Sequence, residues 1–178
     1  MNILLTILGV IVGIIALLLI LALFTKKGYS IHREIVINKQ TQQVFDYIKY
    51  LKNQDYYNKW VMMDPNMKKI FKGTDGTVGF IYGWNGNKQA GEGEQEIKTI
   101  KNGERLDTEI RFARPFAAVG YVDMLTSPVA GNQTHVRWGM SSSMKYPMNV
   151  MLLFMNMDKM LGKDIEISLN TLKGILEK

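Results

Sequence analysis

The stretch FIYGWNGNKQAGEGEQEI, residues 80–97, decides the fold: an aromatic run gives way to a glycine-rich polar segment and then to alternating glutamates. Phe80, Tyr82 and Trp84 occupy alternate positions before the break, and Gln95 continues a period of two after it. A period of two is typical of a strand with one buried face, and Asn-Gly is a hairpin turn signal. The stretch therefore predicts two antiparallel strands joined by a turn.

The same stretch does not fit the nucleotide-binding motifs that its glycines suggest. A dinucleotide fingerprint requires a third glycine and a following helix, and a phosphate loop requires Gly-Lys-Ser/Thr, neither of which is present. Glu92, Glu94 and Glu96 share the outer face of the predicted strand, where Arg111 or Arg137 can pair with them across the sheet. We interpret the glutamates as a charge ladder rather than as a metal or acid/base site.

Further strands and two helices follow from the remaining periodicity. Alternation recurs in residues 105–112 and 134–144 and more weakly in 117–127, while residues 29–37 are rich in strand-forming types. Thr41 is predicted to cap a short helix. A long last helix is predicted to begin near Pro147, a residue type suited to the first helical turn. Its apolar stripe consists of Val150, Phe154, Met157, Leu161, Ile165, Leu169, Leu172 and Leu176. Helices on one face of an antiparallel sheet define an α+β domain.

The chain begins with an uncharged apolar segment, ILLTILGVIVGIIALLLILALF, over residues 3–24. At about 1.5 Å per residue it spans about 33 Å, enough to cross a hydrocarbon core. A cleaved signal peptide should have a basic start, a shorter apolar run and a small-x-small exit, and a buried core helix should have a polar face. We predict a retained transmembrane helix over residues 1–24, a linker over 25–28 and one domain over 29–178.

The charge distribution suggests an orientation and limits the choice of partners. The net charge of +6 lies entirely after the apolar segment, and Lys26 and Lys27 follow it directly. The positive-inside rule then favours a single-pass membrane protein with a cytoplasmic C-terminal domain. Dispersed basic residues argue against nucleic-acid binding.

The absence of cysteine excludes disulfides and thiolate chemistry. His32 and His135 are predicted to lie at the surface, so we expect neither a metal site nor a cofactor.

Four motifs, taken in order, carry a family resemblance. WVMMDPN, GTDGTVGFIYGWNGN, GEGEQEI and IRFARPF, followed by the closing helix, resemble the polyketide cyclase/dehydrase-like branch of the SRPBCC (START-like) superfamily over residues 29–177. The resemblance implies a helix-grip fold, in which a curved antiparallel sheet wraps around a long C-terminal helix. It also implies an internal cavity for hydrophobic ligands.

Candidate ligand-binding residues are the inward aromatic and methionine side chains with a few polar neighbours; the ordinary alternative is that they only fill the core. The candidates are Trp60, Phe80, Tyr82, Trp84, Gln95, Thr108, Trp138, Met140, Ser142, Met151 and Met155. Methionine adapts to irregular apolar partners. No catalytic residue is predicted, because Ser141–Ser143 lacks a nucleophile elbow and no base with an orienting partner is visible.

Three functions are compatible with these patterns. We expect membrane-anchored binding of a hydrophobic small molecule, such as a lipid or isoprenoid, with residues 3–24 in the membrane. A cyclase or dehydratase-like enzyme is an alternative that rests on the resemblance alone. A non-catalytic chaperone or regulatory module with a filled core is the other.

Overall fold

A seven-stranded antiparallel sheet forms the body of the chain, whose computed structural model describes residues 2–178. The strands are β1 (Gly28–Ile37), β2 (Lys68–Lys72), β3 (Ile81–Asn85), β4 (Glu92–Lys101), β5 (Arg105–Arg114), β6 (Ala118–Val129) and β7 (Gln133–Ser143). The α-helices are α1 (Ile3–Phe24), α2 (Thr41–Ile48), α3 (Gln54–Tyr57), α4 (Lys59–Met62) and α5 (Met157–Leu176). Two 3-10 helices cover Leu51–Asn53 and Met148–Leu153.

Sheet order and helix placement give the helix-grip fold that the sequence predicts. The strands lie in the order β1-β7-β6-β5-β4-β3-β2, so that consecutive strands from β2 to β7 form hairpins and β1 pairs with the last strand. The curved sheet places its apolar face against α5, which packs along β1. Alternation along each strand supplies that apolar face, because successive side chains point to opposite sides.

The two ends of the sheet differ in what covers them. We call the end where β1 finishes and β7 begins the closed end, because α2 lies across it. Val44, Phe45 and Ile48 of α2 are fully buried there, together with Ile37 and Val136. The other end, where β1 begins, β7 finishes and the β5–β6 turn lies, we call the open end.

Helix α5 is attached to β1 by polar contacts as well as by apolar packing. The guanidinium of Arg33 bonds to the carboxylate of Asp158 at 2.9 Å, and Lys173 donates to the carbonyl of Val36 at 2.8 Å. A Cβ atom at Gly162 would meet the Arg33 guanidinium well inside contact distance. Glycine at this position therefore lets Arg33 lie directly on the helix.

The last helix begins ten residues later than the predicted start near Pro147, and that prediction is wrong. Asn156 is the cap: its side chain accepts a hydrogen bond from the Lys159 N–H at 2.9 Å, as asparagine caps commonly do. The preceding residues form the short 3-10 helix Met148–Leu153 instead. Val150 and Phe154 consequently lie outside the α5 stripe, and Phe154 is 74% exposed.

Several element boundaries also differ from the sequence pattern. Thr41 is the first residue of α2, and Gln40 precedes it as the cap. The alternation in the sequence extends back to Val78, which predicts that the strand includes it, but β3 starts at Ile81 and Val78 is 62% exposed. Thr99 continues the period of Gln95 and Ile97 and is predicted to point inward, but a register shift in β4 after Ile97 leaves it exposed. The sequence does not predict strand β2. It lies at the edge of the sheet, where most of its side chains are exposed, so its sequence shows no alternation of apolar and polar residues.

The outer face of the sheet carries the predicted charge ladder. Arg111 donates to Glu94 at 2.7 Å, to Glu96 at 2.7 Å and to Glu109 at 2.5 Å. These hydrogen bonds, first of all the one to Glu94, raise the pKa of Arg111. Pairing through Arg111 is thus confirmed, whereas Arg137 bonds to Asp123 at 2.7 Å instead of to the glutamates of β4.

Helix α1 stands apart from the sheet. It is long and apolar enough to cross a membrane, and its side chains are exposed along its length except for the half-buried Leu18 and the buried Ala22. Met1, the first residue of the predicted anchor, lies outside the described residues. The buried amide of Asn149 donates to the carbonyls of Ala22 at 2.7 Å and Thr25 at 3.0 Å. The end of α1 is therefore held against the 3-10 helix Met148–Leu153.

Candidate functional site: an apolar cavity at the open end

A cavity of about 220 Å³ lies between the inner face of the sheet, the short helix α4 and the first turns of α5. It is at the open end, because its lining includes both the β3–β4 turn and the residues that follow β5. The lining residues are Gln54, Asn58, Trp60, Val61, Met67, Tyr82, Trp84, Gln89, Ala90, Gln95, Ile110, Phe112, Arg114, Pro115, Val122, Trp138, Met140 and Leu161. Most of these side chains are apolar or aromatic, as in pockets for small apolar ligands.

One wall of the cavity depends on a glycine in β4. Trp84 pairs in register with Gly93, and a Cβ at Gly93 would lie 2.7 Å from the Trp84 ring. The missing side chain therefore lets the indole lie across the neighbouring strand. Trp84 also donates to the carbonyl of Ala90 at 3.1 Å and meets the Phe112 ring edge-on at 5.9 Å. The ring is thus fixed at the cavity wall.

The opposite wall is built by two further tryptophans. Trp60 and Trp138 meet edge-on with ring centroids 6.4 Å apart. Asn58 holds α4 in place by accepting a hydrogen bond from the Trp60 N–H at 3.0 Å. Leu161 of α5 completes this side. All 3 tryptophans of the chain line the cavity, so tryptophan fluorescence reports on its contents.

Three buried polar side chains of the lining, Gln54, Asn58 and Gln95, are neutral amides that bond to neutral partners. Gln95 is buried and donates to the hydroxyl of Thr108 at 2.8 Å. Asn58 donates to the side-chain oxygen of Gln54 at 2.8 Å, and both residues are buried. A carboxamide has donor and acceptor capacity beyond one hydrogen bond. Such groups can orient a ligand carbonyl, ester or hydroxyl without placing a charge in the cavity.

Titratable chemistry is sparse among the described lining residues. The hydroxyl of Tyr82 donates to Asp55 at 2.6 Å, and Asp55 also pairs with Lys69 at 2.7 Å behind the wall. Burial, and then the bond to Asp55, raise the pKa of Tyr82 far above its usual value. Arg114 at the mouth is the one fully charged side chain of this lining, and it bonds to Glu92 at 2.8 Å.

The structure brings some of the predicted ligand-binding residues together and separates others. Trp60, Tyr82, Trp84, Gln95, Trp138 and Met140 line the cavity. The remaining predictions lie outside the lining. Thr108 stands behind Gln95 as its hydrogen-bond partner. Phe80 is core and stacks on Phe71.

The other three predicted residues lie toward the edge of the open end. Ser142 donates to the carbonyl of Val119 at 2.6 Å. Met151 and Met155 are half-buried in the segment before α5. Both were expected on the long last helix, and they lie outside the lining because that helix begins only at Met157.

Sequence reasoning missed several lining residues, some of which had a usable signal. Ile110 and Phe112 alternate with Thr108 in β5 and thus share its inward face. Val122 belongs to a strand with weak alternation, and Leu161 was assigned to the helix stripe without a cavity role. Gln89 and the neighbouring Ala90 come from a turn, where no periodicity marks them.

A second depression, about 390 Å³, lies on the outer face over β2 to β5. It is more open than the inner cavity, and its walls include Lys68, Lys72 and Glu94, with Arg111 paired across it. Paired charges in an open groove give little basis for selecting a ligand.

Within residues 2–178, no group of three or more His, Cys, Asp or Glu side chains is arranged to hold a metal ion.

Comparison with known proteins supports the fold and leaves the ligand open. No family model and no curated protein sequence matches the chain. Among solved structures, a protein of Nitrosospira multiformis is similar at 17% identity, with a TM-score of 0.59 over 83% of this chain and 96% of that one. The Aha1 dimer from Colwellia psychrerythraea is similar at 15% identity, with a TM-score of 0.56 over 84% and 96%.

A third similar structure is norcoclaurine synthase from Thalictrum flavum, in complex with dopamine and hydroxybenzaldehyde. It shares 12% identity, with a TM-score of 0.59 over 85% of this chain and 90% of that one. These neighbours have folds of the Bet v1/SRPBCC type. The chain is therefore a helix-grip protein of that fold type with an apolar cavity and an additional apolar N-terminal helix.

Proposed function

We propose that this chain is a membrane-anchored member of the SRPBCC superfamily, of the polyketide cyclase/dehydrase-like branch, that binds an apolar small molecule in its cavity. The observation that carries the proposal is the cavity itself, whose tryptophan, methionine and aliphatic walls enclose about 220 Å³ at the open end. The sequence resemblance and the Bet v1/SRPBCC-type neighbours support it.

The size of the cavity limits the ligand. Its 220 Å³ equals the volume of roughly seven water molecules and lies below the range of about 300–1,000 Å³ for drug-sized ligands. An acyl or isoprenoid chain that enters end-on and extends through the mouth meets this limit. The roughly eight methylene groups that this volume accommodates would contribute about 6 kcal/mol by burial, from which the cost of association is subtracted.

The scarcity of titratable groups in the lining favours binding over catalysis. Cyclisation and dehydration need groups that transfer protons, commonly a carboxylate or histidine with a shifted pKa. No Asp, Glu or His is present among the described lining residues, and Tyr82 holds its proton more strongly than usual. The amides of Gln54, Asn58 and Gln95 serve instead to orient a polar but uncharged ligand group.

Helix α1 would keep the cavity close to a membrane source of apolar ligand. Its length and composition fit a single span. Lys26 and Lys27 at its end favour a cytoplasmic domain by the positive-inside rule. A fusion of alkaline phosphatase after Lys178 tests this orientation, because it is inactive in a reducing cytoplasm and active on the opposite side.

The test of binding uses the tryptophans that line the cavity. The full chain, held in amphipol, is titrated with dibromostearic acid, whose bromine atoms quench tryptophan at short range. We expect saturable quenching in the wild type and its loss in Val122→Phe, which places a ring in the cavity. Val129→Phe, on the same strand but outside the lining, is the matched control and should be quenched normally. Equal quenching of both variants would contradict binding in the cavity.

A further inference from the structure

We infer that the cavity opens toward the membrane and takes its ligand directly from the bilayer, with an apolar rim around its mouth that rests in the lipid interface. This inference rests on the proposed function, since it requires α1 to span the membrane and the cavity to bind an apolar chain. It adds the source of the ligand, a phospholipid bilayer, and the surface that contacts that source.

The first step is the position of the mouth relative to the anchor. Helix α1 ends at Phe24 and β1 begins at Gly28, so the chain between them spans at most about 14 Å. In the ladder, Gly28 pairs with Ser143 at the end of β7. Beside it on the same end of the sheet lie the start of β6 and the end of β5. Arg114 and Pro115, which line the cavity, follow at that end. Anchor and mouth therefore share one end of the domain.

The second step is that the anchor is fixed to the domain. The amide of Asn149 is fully buried and bonds to two carbonyls at the end of α1, those of Ala22 and Thr25. Met144 also donates its backbone N–H to the carbonyl of Lys27 at 2.8 Å. Because both sides of the connection are held, the open end stays turned toward the side from which α1 arrives.

The third step is the exposed apolar surface at this end, which we call the rim. The rim consists of Phe116, Val119, Tyr146, Met148, Leu153 and Phe154. Phe116 is 72% exposed and directly follows Pro115 of the cavity lining, while Phe154 is 74% exposed beside the anchored segment. Large apolar side chains exposed together mark an interaction surface. Their continuity with α1 makes the bilayer the surface that meets them.

The charges around the rim match a lipid surface. Lys26, Lys27 and Lys145 flank it, and residues 144–157 contain no Asp or Glu. Basic side chains next to exposed aromatic and aliphatic groups are the composition that favours the interface of anionic membranes. A soluble protein partner would not need to lie next to the end of a membrane helix, so the bilayer is the occupant that the position favours.

The experiment places the full chain in nanodiscs of phosphatidylcholine and phosphatidylglycerol whose acyl chains are dibrominated. Tryptophan quenching is measured against nanodiscs of unbrominated lipid. The rim variant is Phe116→Asp with Phe154→Asp, and Leu153→Asp repeats the change at another exposed position. Val78→Asp is the matched control, because Val78 is also exposed but lies before β3 at the other end of the sheet. Val122→Phe shows how much quenching requires an open cavity.

We expect quenching of the wild type and of Val78→Asp, loss of most of it in the rim variants, and loss in Val122→Phe. The rim variants should still be quenched normally by dibromostearic acid in amphipol, because their cavity is intact. Rim variants that match the wild type in nanodiscs would overturn the inference. So would a wild type that is quenched by the fatty acid in amphipol but not by bilayer lipid, which would leave the proposed function standing. A wild type unquenched in both media would overturn both.

Discussion

The closed and open ends of the sheet are built from the same kind of alternating strand, yet one is solid and the other encloses a cavity. At the closed end α2 covers the sheet, and Phe45, Ile37 and Val136 are fully buried among their neighbours. At the open end the covering element is α4, which is only four residues long, together with the start of α5. Trp60 and Trp138 meet there edge-on, and both line the cavity.

The cavity therefore comes from what covers the sheet and not from the sheet itself. A helix that interdigitates with the strands gives the close packing typical of protein interiors. A short helix cannot fill the same width, and the rigid rings beside it cannot collapse into the gap. Matched residues of the two ends should therefore respond differently to the same substitution.

The largest difference is expected for truncation of a phenylalanine at each end. Phe45→Ala at the closed end should reduce the free energy of unfolding by about 3–5 kcal/mol, because it removes a fully buried ring from a packed site. Phe112→Ala at the open end should cost only roughly 1–2 kcal/mol, because that ring already borders empty space. Denaturant unfolding of the full chain in amphipol, followed by tryptophan fluorescence, measures both. Equal losses would show that the open end is as tightly packed as the closed end.

Enlargement of a valine at each end should give the next largest effect. Val136→Phe overpacks a fully buried site and should destabilise the domain by about 1–3 kcal/mol. Val122→Phe adds the same atoms beside the cavity, which has room for them, and should leave stability nearly unchanged while it removes ligand binding. Thermal unfolding compares the two variants. A strongly destabilised Val122→Phe would mean that the space beside Val122 does not accept a ring.

The sequence predicts much of this comparison but not the cavity boundary. Alternation in β4, β5 and β7 correctly predicts the inward positions of Gln95, Thr108 and Trp138, because strand geometry alone determines the face. The start of α5 was missed, since Pro147 is a general signal whereas the cap at Asn156 depends on one local hydrogen bond. Which inward residues border empty space depends on the element packed opposite them, and no pattern within a single strand records that.

Two buried tyrosines should respond differently to loss of the hydroxyl group. Tyr82→Phe removes a bond to the carboxylate of Asp55 and should cost about 1.5 kcal/mol. The hydroxyl of Tyr57 is buried without a hydrogen-bond partner among the described residues. Tyr57→Phe should therefore leave stability unchanged or slightly increased. Both are measured by denaturant unfolding, and a substantial loss in Tyr57→Phe would indicate that this hydroxyl does have a partner in solution.

The smallest effect is expected on the outer face. Arg111→Met should cost about 1 kcal/mol at low salt, less at high salt, and should not change ligand binding. The hydrogen bond from Lys98, and then that from Arg111, lower the pKa of Glu96. The resulting stability is present above the unfolded-state pKa, near 4.5, and is lost as the pH falls through the lower folded-state value. Acid titration of thermal stability should be flatter in the variant, and identical curves would contradict this role of Arg111.

The most direct test of the central claim is native mass spectrometry of the full chain released from nanodiscs after purification from its membrane. We expect the wild type to carry an additional mass, that of one apolar molecule, and Val122→Phe to lack it. A wild type found without such a molecule under every gentle release condition, or a Val122→Phe variant that carries it equally, would contradict the proposal that the open end of the sheet holds a ligand.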